Sequence, residues 1–220
     1  MSTLPEGGLA AWPHVFIPGE VDAPVLLTLH GTGGTETEVT ALATALDPRA
    51  SVLSPRGLVR EGAASRWFRR TGEGVFDVAD VIVRAGELAA FIAAARVEYR
   101  LTDAPLTAVG FSNGANIALA TALLHPGVLN RVVAFSGMYP FADRDPIGDL
   151  GGSGSTVELL LLNGAGDPMA PPASVDVLER TAIEHGASVT RQTRPGGHGI
   201  DGIEVNAAKE WIAGASSASH

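Results

Sequence analysis

The chain of 220 residues contains no cysteine. This absence excludes disulfide bonds, thiolate nucleophiles and cysteine metal ligands. The chain also lacks any uninterrupted apolar stretch near the roughly 18–20 residues that span a bilayer. Its first residues, Met-Ser-Thr-Leu-Pro-Glu, have neither the basic region nor the apolar region of a signal peptide. We therefore expect a cytoplasmic protein with no membrane-inserted segment.

Several ligand-binding signatures are missing as well. No His-x-x-x-His pair and no tight cluster of His and Asp has the spacing of metal ligands. The Gly-rich segment at residues 31–34 lacks the Gly-Lys-Ser/Thr ending of a phosphate loop, and no complete Gly-x-Gly-x-x-Gly fingerprint occurs. We predict no metal and no nucleotide cofactor. The 24 acidic and 15 basic residues give a net charge of −9, which opposes binding to nucleic acid or to an anionic membrane.

The pentapeptide Gly-Phe-Ser-Asn-Gly at residues 110–114 is the most informative stretch that is present. An apolar strand is predicted just before it, at residues 106–109, and a helix just after it, at residues 115–120. Small residues on both sides of a serine allow a sharp turn from strand to helix, which exposes the hydroxyl group. The pattern predicts that Ser112 is a catalytic nucleophile, although a glycine-rich turn without a function gives the same string by accident.

A nucleophilic serine needs a histidine to take its proton and an acid to orient that histidine. Asp167 follows the apolar run at residues 159–163, and His198 follows the alternating run at residues 189–193. Both therefore lie where the active sites of parallel sheets are found, beyond the carboxyl ends of strands. We predict a triad of Ser112, Asp167 and His198, with Asp201 and Asp143 as rivals for the acid.

The oxyanion of an acyl-transfer reaction needs hydrogen-bond donors, and the segment after the strand at residues 25–29 can supply them. We predict that these donors are the backbone N–H groups of Thr32 and Asn113. His30, just before the Gly-rich segment, is expected to hold loops together rather than to act as the base.

Taken together, these segments resemble the carboxylesterase/phospholipase branch of the α/β-hydrolases. The resemblance covers about residues 13–211, and it is closest to small bacterial esterases associated with hydroquinone resistance. The residues that carry it are His-Gly-Thr-Gly-Gly at 30–34, the pentapeptide at 110–114, Gly-Ala-Gly-Asp-Pro at 164–168, Gly-His-Gly at 197–199, Ser-Pro-Arg-Gly at 54–57, Trp-Phe-Arg-Arg at 67–70 and Gly-Val-Phe-Asp at 74–77. Acyl-protein thioesterases of this branch usually have Gln and Gly where Asn113 and Ala115 stand, which weakens an assignment of protein depalmitoylation.

The fold that the resemblance implies agrees with the pattern along the chain. We predict an α/β-hydrolase fold in one domain, residues 1–220, with a mostly parallel central sheet, helices on both faces and little or no cap. Residues 213–220 are expected to be a flexible tail, and the low-complexity stretch at residues 148–156 a surface loop. The further predicted strands are 15–17, 51–53 and 131–136, and the further predicted helices are 36–46, 78–99, 172–185 and 200–212.

A substrate pocket can be proposed only in outline from the sequence. Three aromatic residues, one arginine and one methionine lie after two of the predicted strands, and they are Trp67, Phe68, Arg69, Met138 and Tyr139. Such a pocket suits an aromatic or carboxylate-bearing substrate, whereas the alternative is a loop anchored by buried rings. Only about twenty residues separate residue 136 from the next strand, so any cap is small and favours small esters.

The predicted activity is hydrolysis of small carboxylic esters through a serine acyl-enzyme. Thioesterase or lysophospholipase activity is an alternative, as are cofactor-free perhydrolysis and lyase chemistry with the same triad, because a fold does not fix a reaction. A non-enzymatic protein that binds a small molecule is a remote alternative. The expected partner is a small-molecule ester, and a homodimer is consistent with the resemblance.

Overall fold

The computed structural model describes residues 4, 8–72, 74–148 and 156–216. The strands are β1 (His14–Ile17), β2 (Val25–Leu29), β3 (Ser51–Pro55), β4 (Val59–Glu61), β5 (Ala64–Arg66), β6 (Arg70–Gly72), β7 (Val75–Phe76), β8 (Leu106–Phe111), β9 (Arg131–Phe135), β10 (Glu158–Gly164) and β11 (Ser188–Arg194). The helices are α1 (Thr40–Leu46), α2 (Val78–Glu98), α3 (Asn113–Leu124), α4 (Pro172–Glu184) and α5 (Gly202–Ser216), with a short 3-10 helix at Leu9–Ala11.

A seven-stranded sheet in the order β1-β3-β2-β8-β9-β10-β11 forms the centre of the molecule. β1 pairs antiparallel with β3, and the other neighbours are parallel. Every residue of β2 is buried, because parallel strands in such a sheet are covered on both faces. The side chains of β2 alternate between two cores, with Leu27 in one and Leu26 in the other.

Helices cover both faces of this sheet. α2, α3 and α4 bury Leu88, Ile117 and Leu178 in the larger core, while α1 and α5 bury Ala43 and Ala208 in the smaller core. α3 is buried along nearly its whole length, which agrees with its almost uniformly apolar sequence. The predicted mostly parallel sheet with helices on both faces is confirmed.

The parallel strands direct five connections to one edge of the sheet. Each of β2, β8, β9, β10 and β11 ends at this edge, because parallel strands share one direction. The segments that follow them contain Gly31, Ser112, Ser136, Asp167 and His198, respectively. Ligand sites of open α/β sheets lie outside this carboxyl edge.

Two short hairpins occupy the segment at residues 56–77, in which the sequence predicts no strand. β4 pairs with β5, and β6 pairs with β7, in separate two-stranded sheets. The pairing was hidden from the sequence because these strands have only two or three residues, which is too short for a clear period-two pattern. The hairpins lie between β3 and α2 in the chain.

Two predicted boundaries differ from the structure. Helix α1 begins at Thr40 rather than near residue 36, and α5 continues to Ser216 into the segment that was expected to be a tail. Alanine favours continuation of a helix, and residues 213–215 are Ala-Gly-Ala. Residues 217–220 of that predicted tail, and residues 149–155 of the predicted surface loop, lie outside the described residues. Within the described part of the chain, no helix is both long and apolar enough to cross a membrane.

Candidate active site

Ser112 lies at the sharp turn between β8 and α3. Its φ is +54° and its ψ is −116°, a conformation that residues other than glycine rarely adopt. The turn brings the backbone so close that a Cβ atom at Gly110 would lie 2.5 Å from the Gly114 carbonyl oxygen. A Cβ atom at Gly114 would lie 2.0 Å from the Leu29 carbonyl oxygen at the end of β2. The two glycines of the pentapeptide are therefore required by close backbone contacts around the serine.

Two backbone N–H groups near Ser112 are without hydrogen-bond partners among the described residues. They belong to Thr32, in the loop after β2, and to Asn113, the first residue of α3. The N-terminus of a helix favours negative charge, because its first N–H groups are unpaired and the helix dipole is positive there. These are the N–H groups that the sequence predicted as oxyanion donors, and both residues line one cavity with Ser112.

Asp167 and His198, which are 31 residues apart in the chain, form a hydrogen bond. The distance from Nδ1 of His198 to Oδ2 of Asp167 is 2.8 Å. The other carboxylate oxygen of Asp167 accepts hydrogen bonds from the N–H groups of Met169 and Ala170, at 2.8 and 3.2 Å. Burial raises the pKa of Asp167, but the hydrogen bonds from His198 and these N–H groups outweigh it and lower the pKa below its usual range. Asp167 is thus an ionised, fully buried partner for the imidazole.

The imidazole of His198 lies beside the turn that carries the serine. Its ring centroid is 5.0 Å from that of Phe111, the residue before Ser112. Within the described residues the Ser112 hydroxyl makes no hydrogen bond, so the structure brings the acid and the histidine into contact but not the histidine and the serine. In serine hydrolases such a contact often becomes short only with substrate bound.

The turn that carries His198 is held by an arginine that the sequence analysis did not single out. Nη2 of Arg194 donates to the carbonyl oxygens of Gly197 and Gly199, at 3.2 and 2.8 Å. The same guanidinium forms an ion pair with buried Glu204 of α5, at 2.8 Å. The hydroxyl of Ser136 adds a bond of 3.3 Å to the Gly199 carbonyl oxygen. The sequence signal that could have identified this contact is the position of Arg194 at the end of the last strand, four residues before His198.

His30 links the loop after β2 to the first hairpin segment. Its Nδ1–H donates to the Gly31 carbonyl oxygen at 2.7 Å, and its Nε2 accepts from the Gly57 N–H at 2.9 Å. This pair of bonds fixes a neutral tautomer. Burial lowers the pKa of His30, although the bond to the Gly31 carbonyl opposes this effect. These contacts agree with the predicted structural role.

The β4–β5 hairpin and the residue after it also contact the loop that contains Thr32. The Gly33 N–H donates to the Ser65 carbonyl oxygen at 2.9 Å, and Nη1 of Arg66 donates to Oγ1 of Thr32 at 2.8 Å. Trp67 donates its N–H to Oδ1 of Asn113 at 2.8 Å. The hairpin thereby connects the two segments that supply the unpaired N–H groups.

A cavity of about 360 Å³ opens at Ser112. Its lining includes Arg66, Arg70, Phe76, Asn116, Met138 and Met169 in addition to Ser112, Thr32 and Asn113. Burial and then the nearby Arg70 charge lower the pKa of Arg66, while Glu61 opposes them.

The predicted pocket residues need correction against this lining. Trp67 and Phe68 are buried in the core, where the Trp67 indole donates to the His30 carbonyl oxygen at 2.9 Å. Arg69 is exposed and pairs with Asp77 and Asp80, away from the cavity. Met138 lies in the predicted position, and Tyr139 lines a second cavity of about 310 Å³ that shares Met138. The guanidinium groups at the cavity are those of Arg66 and Arg70.

Neither rival acid, Asp201 or Asp143, forms a hydrogen bond with His198 among the described residues. Oδ1 of Asp201 accepts from the N–H groups of Ile203 and Glu204, both at 2.9 Å, and so caps α5. Asp143 is exposed. Over the described ranges, no three His, Cys, Asp or Glu side chains form a group that could hold a metal ion.

Comparisons with known proteins show the family and the fold of this chain. The family model described as phospholipase/carboxylesterase matches residues 11–216. The protein MhqD of Bacillus subtilis (strain 168), a provisionally assigned hydrolase, is 36% identical over 200 residues, which are 90% of this chain and 96% of MhqD. A Bacillus cereus carboxylesterase structure is 38% identical, with a TM-score of 0.85 over 94% of this chain and 95% of that one. A carboxylesterase structure from Mesorhizobium loti is 29% identical, with a TM-score of 0.84 over 97% and 99% of the two chains.

Proposed function

Because the chain belongs to the phospholipase/carboxylesterase family, we propose that it hydrolyses small carboxylic esters through a covalent intermediate on Ser112. The observation that carries the proposal is the position of three groups at one edge of the sheet. Ser112 lies in a strained turn at the head of a helix, and the hydrogen-bonded pair of Asp167 and His198 lies beside it. This arrangement supports a Ser-His-Asp mechanism in the chain order of the α/β-hydrolases.

The first half of the reaction forms the acyl-enzyme. Nε2 of His198 takes the hydroxyl proton while Oγ of Ser112 bonds to the ester carbonyl carbon, and the carbonyl oxygen becomes an oxyanion. Protonated His198 then gives this proton to the alcohol oxygen as the ester C–O bond breaks. Asp167 holds Nδ1 of the imidazole and stabilises its charged form, a role supported by the 2.8 Å hydrogen bond between them.

The second half releases the acid. Water replaces the alcohol, His198 takes a proton from it, and the resulting hydroxide attacks the acyl carbon. The second tetrahedral intermediate collapses with Ser112 as the leaving group, and His198 returns the proton to Oγ. In both halves the oxyanion accepts hydrogen bonds from the N–H groups of Thr32 and Asn113. One such donor contributes about 3–4 kcal/mol to transition-state stabilisation in serine hydrolases.

The cavity favours small substrates over long acyl chains. A volume of about 360 Å³ lies near the lower end of the roughly 300–1,000 Å³ that is usual for ligand pockets. Met138 and Met169 give it an apolar part, and the two arginines give it a polar part. We therefore propose short-chain or aromatic carboxylic esters as the substrate class.

A fluorophosphonate probe tests the proposed nucleophile directly, because it phosphonylates an activated serine and not an ordinary one. We expect wild-type protein to gain one adduct, found on the peptide that contains Ser112 by mass spectrometry. The Ser112→Ala protein is expected to gain none. Ser174→Ala is the matched control, because Ser174 lines the same cavity, and it is expected to label like the wild type. Labelling of Ser174 or Ser136 instead, or no labelling at all, would contradict the proposal.

A further inference from the structure

The cavity at Ser112 contains two arginines in a chain that is strongly acidic overall. Arg66 and Arg70 are the charged residues among the described residues that line it, and the others are neutral. The chain as a whole has a net charge of −9. The charge of the cavity lining is therefore opposite in sign to the net charge of the chain, and this local difference needs its own explanation.

Arg66 is buried, with a side chain only 3% exposed, yet part of its guanidinium is left over for a ligand. Its Nη1 donates to Oγ1 of Thr32 at 2.8 Å, and its Nε donates to the Phe68 carbonyl oxygen at 3.3 Å. Its Nη2 makes no hydrogen bond with any described residue. Because Arg66 contacts Thr32, this charge lies next to the segment that supplies a predicted oxyanion donor.

The cavity retains one positive charge after the ion pairs at its wall are counted. Glu61 accepts from Nε and Nη2 of Arg70 at 2.9–3.1 Å, and it lies 3.3 Å from Nε of Arg66. One carboxylate thus faces two guanidinium groups. Glu61 is half-exposed and hydrogen-bonded to Arg70, whereas Arg66 is buried and makes no hydrogen bond with Glu61. The positive charge without a partner therefore belongs mainly to Arg66.

Two residues that line the same cavity, Asn113 and Asn116, have side-chain NH₂ groups without a hydrogen-bond partner among the described residues. Oδ1 of Asn113 accepts from the Trp67 N–H, which leaves Nδ2 buried without a hydrogen-bond partner. Oδ1 of Asn116 accepts from the Met138 N–H at 2.8 Å, and its Nδ2 has no partner among the described residues. Buried polar groups are normally paired, so unpaired donors at a cavity point to a ligand that accepts hydrogen bonds.

We propose that the preferred substrates are esters that carry a second, anionic group, a carboxylate, which binds to the guanidinium of Arg66 with support from Arg70. This proposal rests on the proposed esterase function, and it names the substrate class of that same site. Planar guanidinium and carboxylate groups match in bidentate geometry, and such charge-assisted hydrogen bonds are stronger than neutral ones. Met138 and Phe76 line the same cavity and provide contact for the carbon skeleton of the substrate.

The charge balance favours a carboxylate over a phosphate group. Arg66, Arg70 and Glu61 together carry one net positive charge, which one carboxylate neutralises. A phosphate monoester carries about two negative charges at neutral pH, and the second would lack a partner among the described lining residues. Inhibition by benzoate, which carries one negative charge, and by inorganic phosphate distinguishes the two anions.

The test compares each anionic ester with its uncharged amide analogue of the same shape. One pair is 4-carboxyphenyl acetate and 4-carbamoylphenyl acetate, with the charge on the alcohol side. The other is ethyl hydrogen succinate and ethyl succinamate, with the charge on the acyl side. The measured quantity is the ratio of kcat/KM for the anionic ester to kcat/KM for the neutral one, because a general loss of catalysis cancels in this ratio.

We expect wild-type protein to prefer the anionic member in at least one pair, and we expect this preference to fall as salt concentration rises. Arg66→Gln is expected to lower the ratio by about tenfold to a hundredfold, the range for a hydrogen bond to a charged group. Arg70→Gln is expected to lower it by about two- to fivefold, since Arg70 is more exposed and already paired. Arg60→Gln is the matched control, because Arg60 lies on the same hairpin but does not line the cavity, and its ratio is expected to equal that of the wild type.

The Arg70→Gln protein keeps the test informative if Arg66→Gln fails to fold, because the bonds of Arg66 to Thr32 and Phe68 remain in it. Neutral esters that are hydrolysed with no anionic preference in either pair would overturn the proposed substrate class alone. Stronger inhibition by inorganic phosphate than by benzoate would overturn the choice of carboxylate. Wild-type protein that hydrolyses none of the four esters would instead count against the proposed function itself.

Discussion

Ser112 adopts a strained backbone conformation that its neighbours hold in place. A residue other than glycine at a positive φ typically costs about 1–3 kcal/mol, and such residues are concentrated at functional sites. Here the Ser112 N–H donates to the Phe135 carbonyl oxygen at 2.9 Å, and its carbonyl oxygen accepts from the Asn116 N–H at 3.0 Å. The serine is therefore tied to β9 on one side and to α3 on the other. These backbone bonds hold the turn, so the Ser112 hydroxyl is not needed for folding and is free to face the cavity.

At the residue scale, the charge of Asp167 is open to a direct test. Asp167→Asn removes the charge that stabilises the imidazolium, and it offers an NH₂ group in place of an acceptor to Nδ1 of His198. We expect kcat for ester hydrolysis to fall by about 10⁴-fold, the loss that this change causes in a Ser-His-Asp protease, while the circular dichroism spectrum is unchanged. Asp143→Asn is the control, because Asp143 is exposed, and its kcat is expected to match the wild type. An Asp167→Asn protein with wild-type kcat would remove Asp167 from the mechanism.

At the scale of elements, the site depends on how closely β2 and α3 approach each other. Gly114 in α3 contacts the backbone at the end of β2, so the loop with Thr32 and the helix start with Asn113 lie side by side. The two unpaired N–H groups come from different elements. Their relative position is therefore a property of this packing contact rather than of either element alone.

Gly114→Ala tests this contact. The added Cβ would meet three backbone atoms of Leu29 and His30 at 2.0–2.6 Å, and no flexible side chain can yield there. Overpacking of this kind costs about 1–3 kcal/mol, and each kcal/mol lowers Tm by about 2–4 °C in a domain of this size. We expect a lower Tm, measured by thermal denaturation, together with a lower kcat, because β2 and α3 must separate.

Gly127→Ala is the matched control for that substitution. Nothing lies within 4 Å of a Cβ atom at Gly127, and its φ is not in the positive range. We expect its Tm and kcat to stay close to the wild type. A Gly114→Ala protein that behaves like Gly127→Ala would show that the close approach of β2 and α3 is not required.

The elements differ in how far the sequence predicts them. β2, β8 and β10 are recognisable because each is a mostly apolar run, and β11 is recognisable because its residues alternate. The positions of Ser112, Asp167 and His198 after strands follow from β8, β10 and β11. The contacts around these residues do not follow, because they join segments distant in the chain. Arg66 meets Thr32 across 34 residues, and the residues that line the cavity depend on a hairpin too short to show a pattern. The roles of the predicted oxyanion donors and the triad stay predictions.

At the scale of the whole molecule, one buried and one half-buried histidine, His30 and His125, make stability depend on pH. Burial lowers the pKa of His30 and of His125 in the folded protein. In the unfolded chain a histidine titrates near 6.5, so below about pH 6.5 the unfolded state binds protons that the folded state does not. The stabilising contribution of these histidines is complete above that pH and is lost as the pH falls. Carboxyl groups affect stability at lower pH. The hydrogen bond with Arg56 lowers the pKa of Glu36, so the contribution of Glu36 to stability is lost only below about pH 4.

We therefore expect Tm to fall already between pH 7 and pH 5.5. His125→Gln removes one of the two histidines, at a position where the side chain makes no hydrogen bond with the described residues. In this variant the fall in Tm over the same range is expected to be shallower. Equal slopes for the wild type and His125→Gln would show that His125 does not resist protonation in the folded state.

The central claim is that hydrolysis of small esters depends on Ser112. Its most direct test is to measure kcat/KM for p-nitrophenyl esters from acetate to palmitate. Wild-type and Ser112→Ala proteins are measured side by side, with Tm as the check on folding. We expect the highest kcat/KM with short acyl chains, and we expect Ser112→Ala to abolish it without lowering Tm. Wild-type rates no higher than those of Ser112→Ala would contradict the claim, because Ser112 would then have no part in ester hydrolysis.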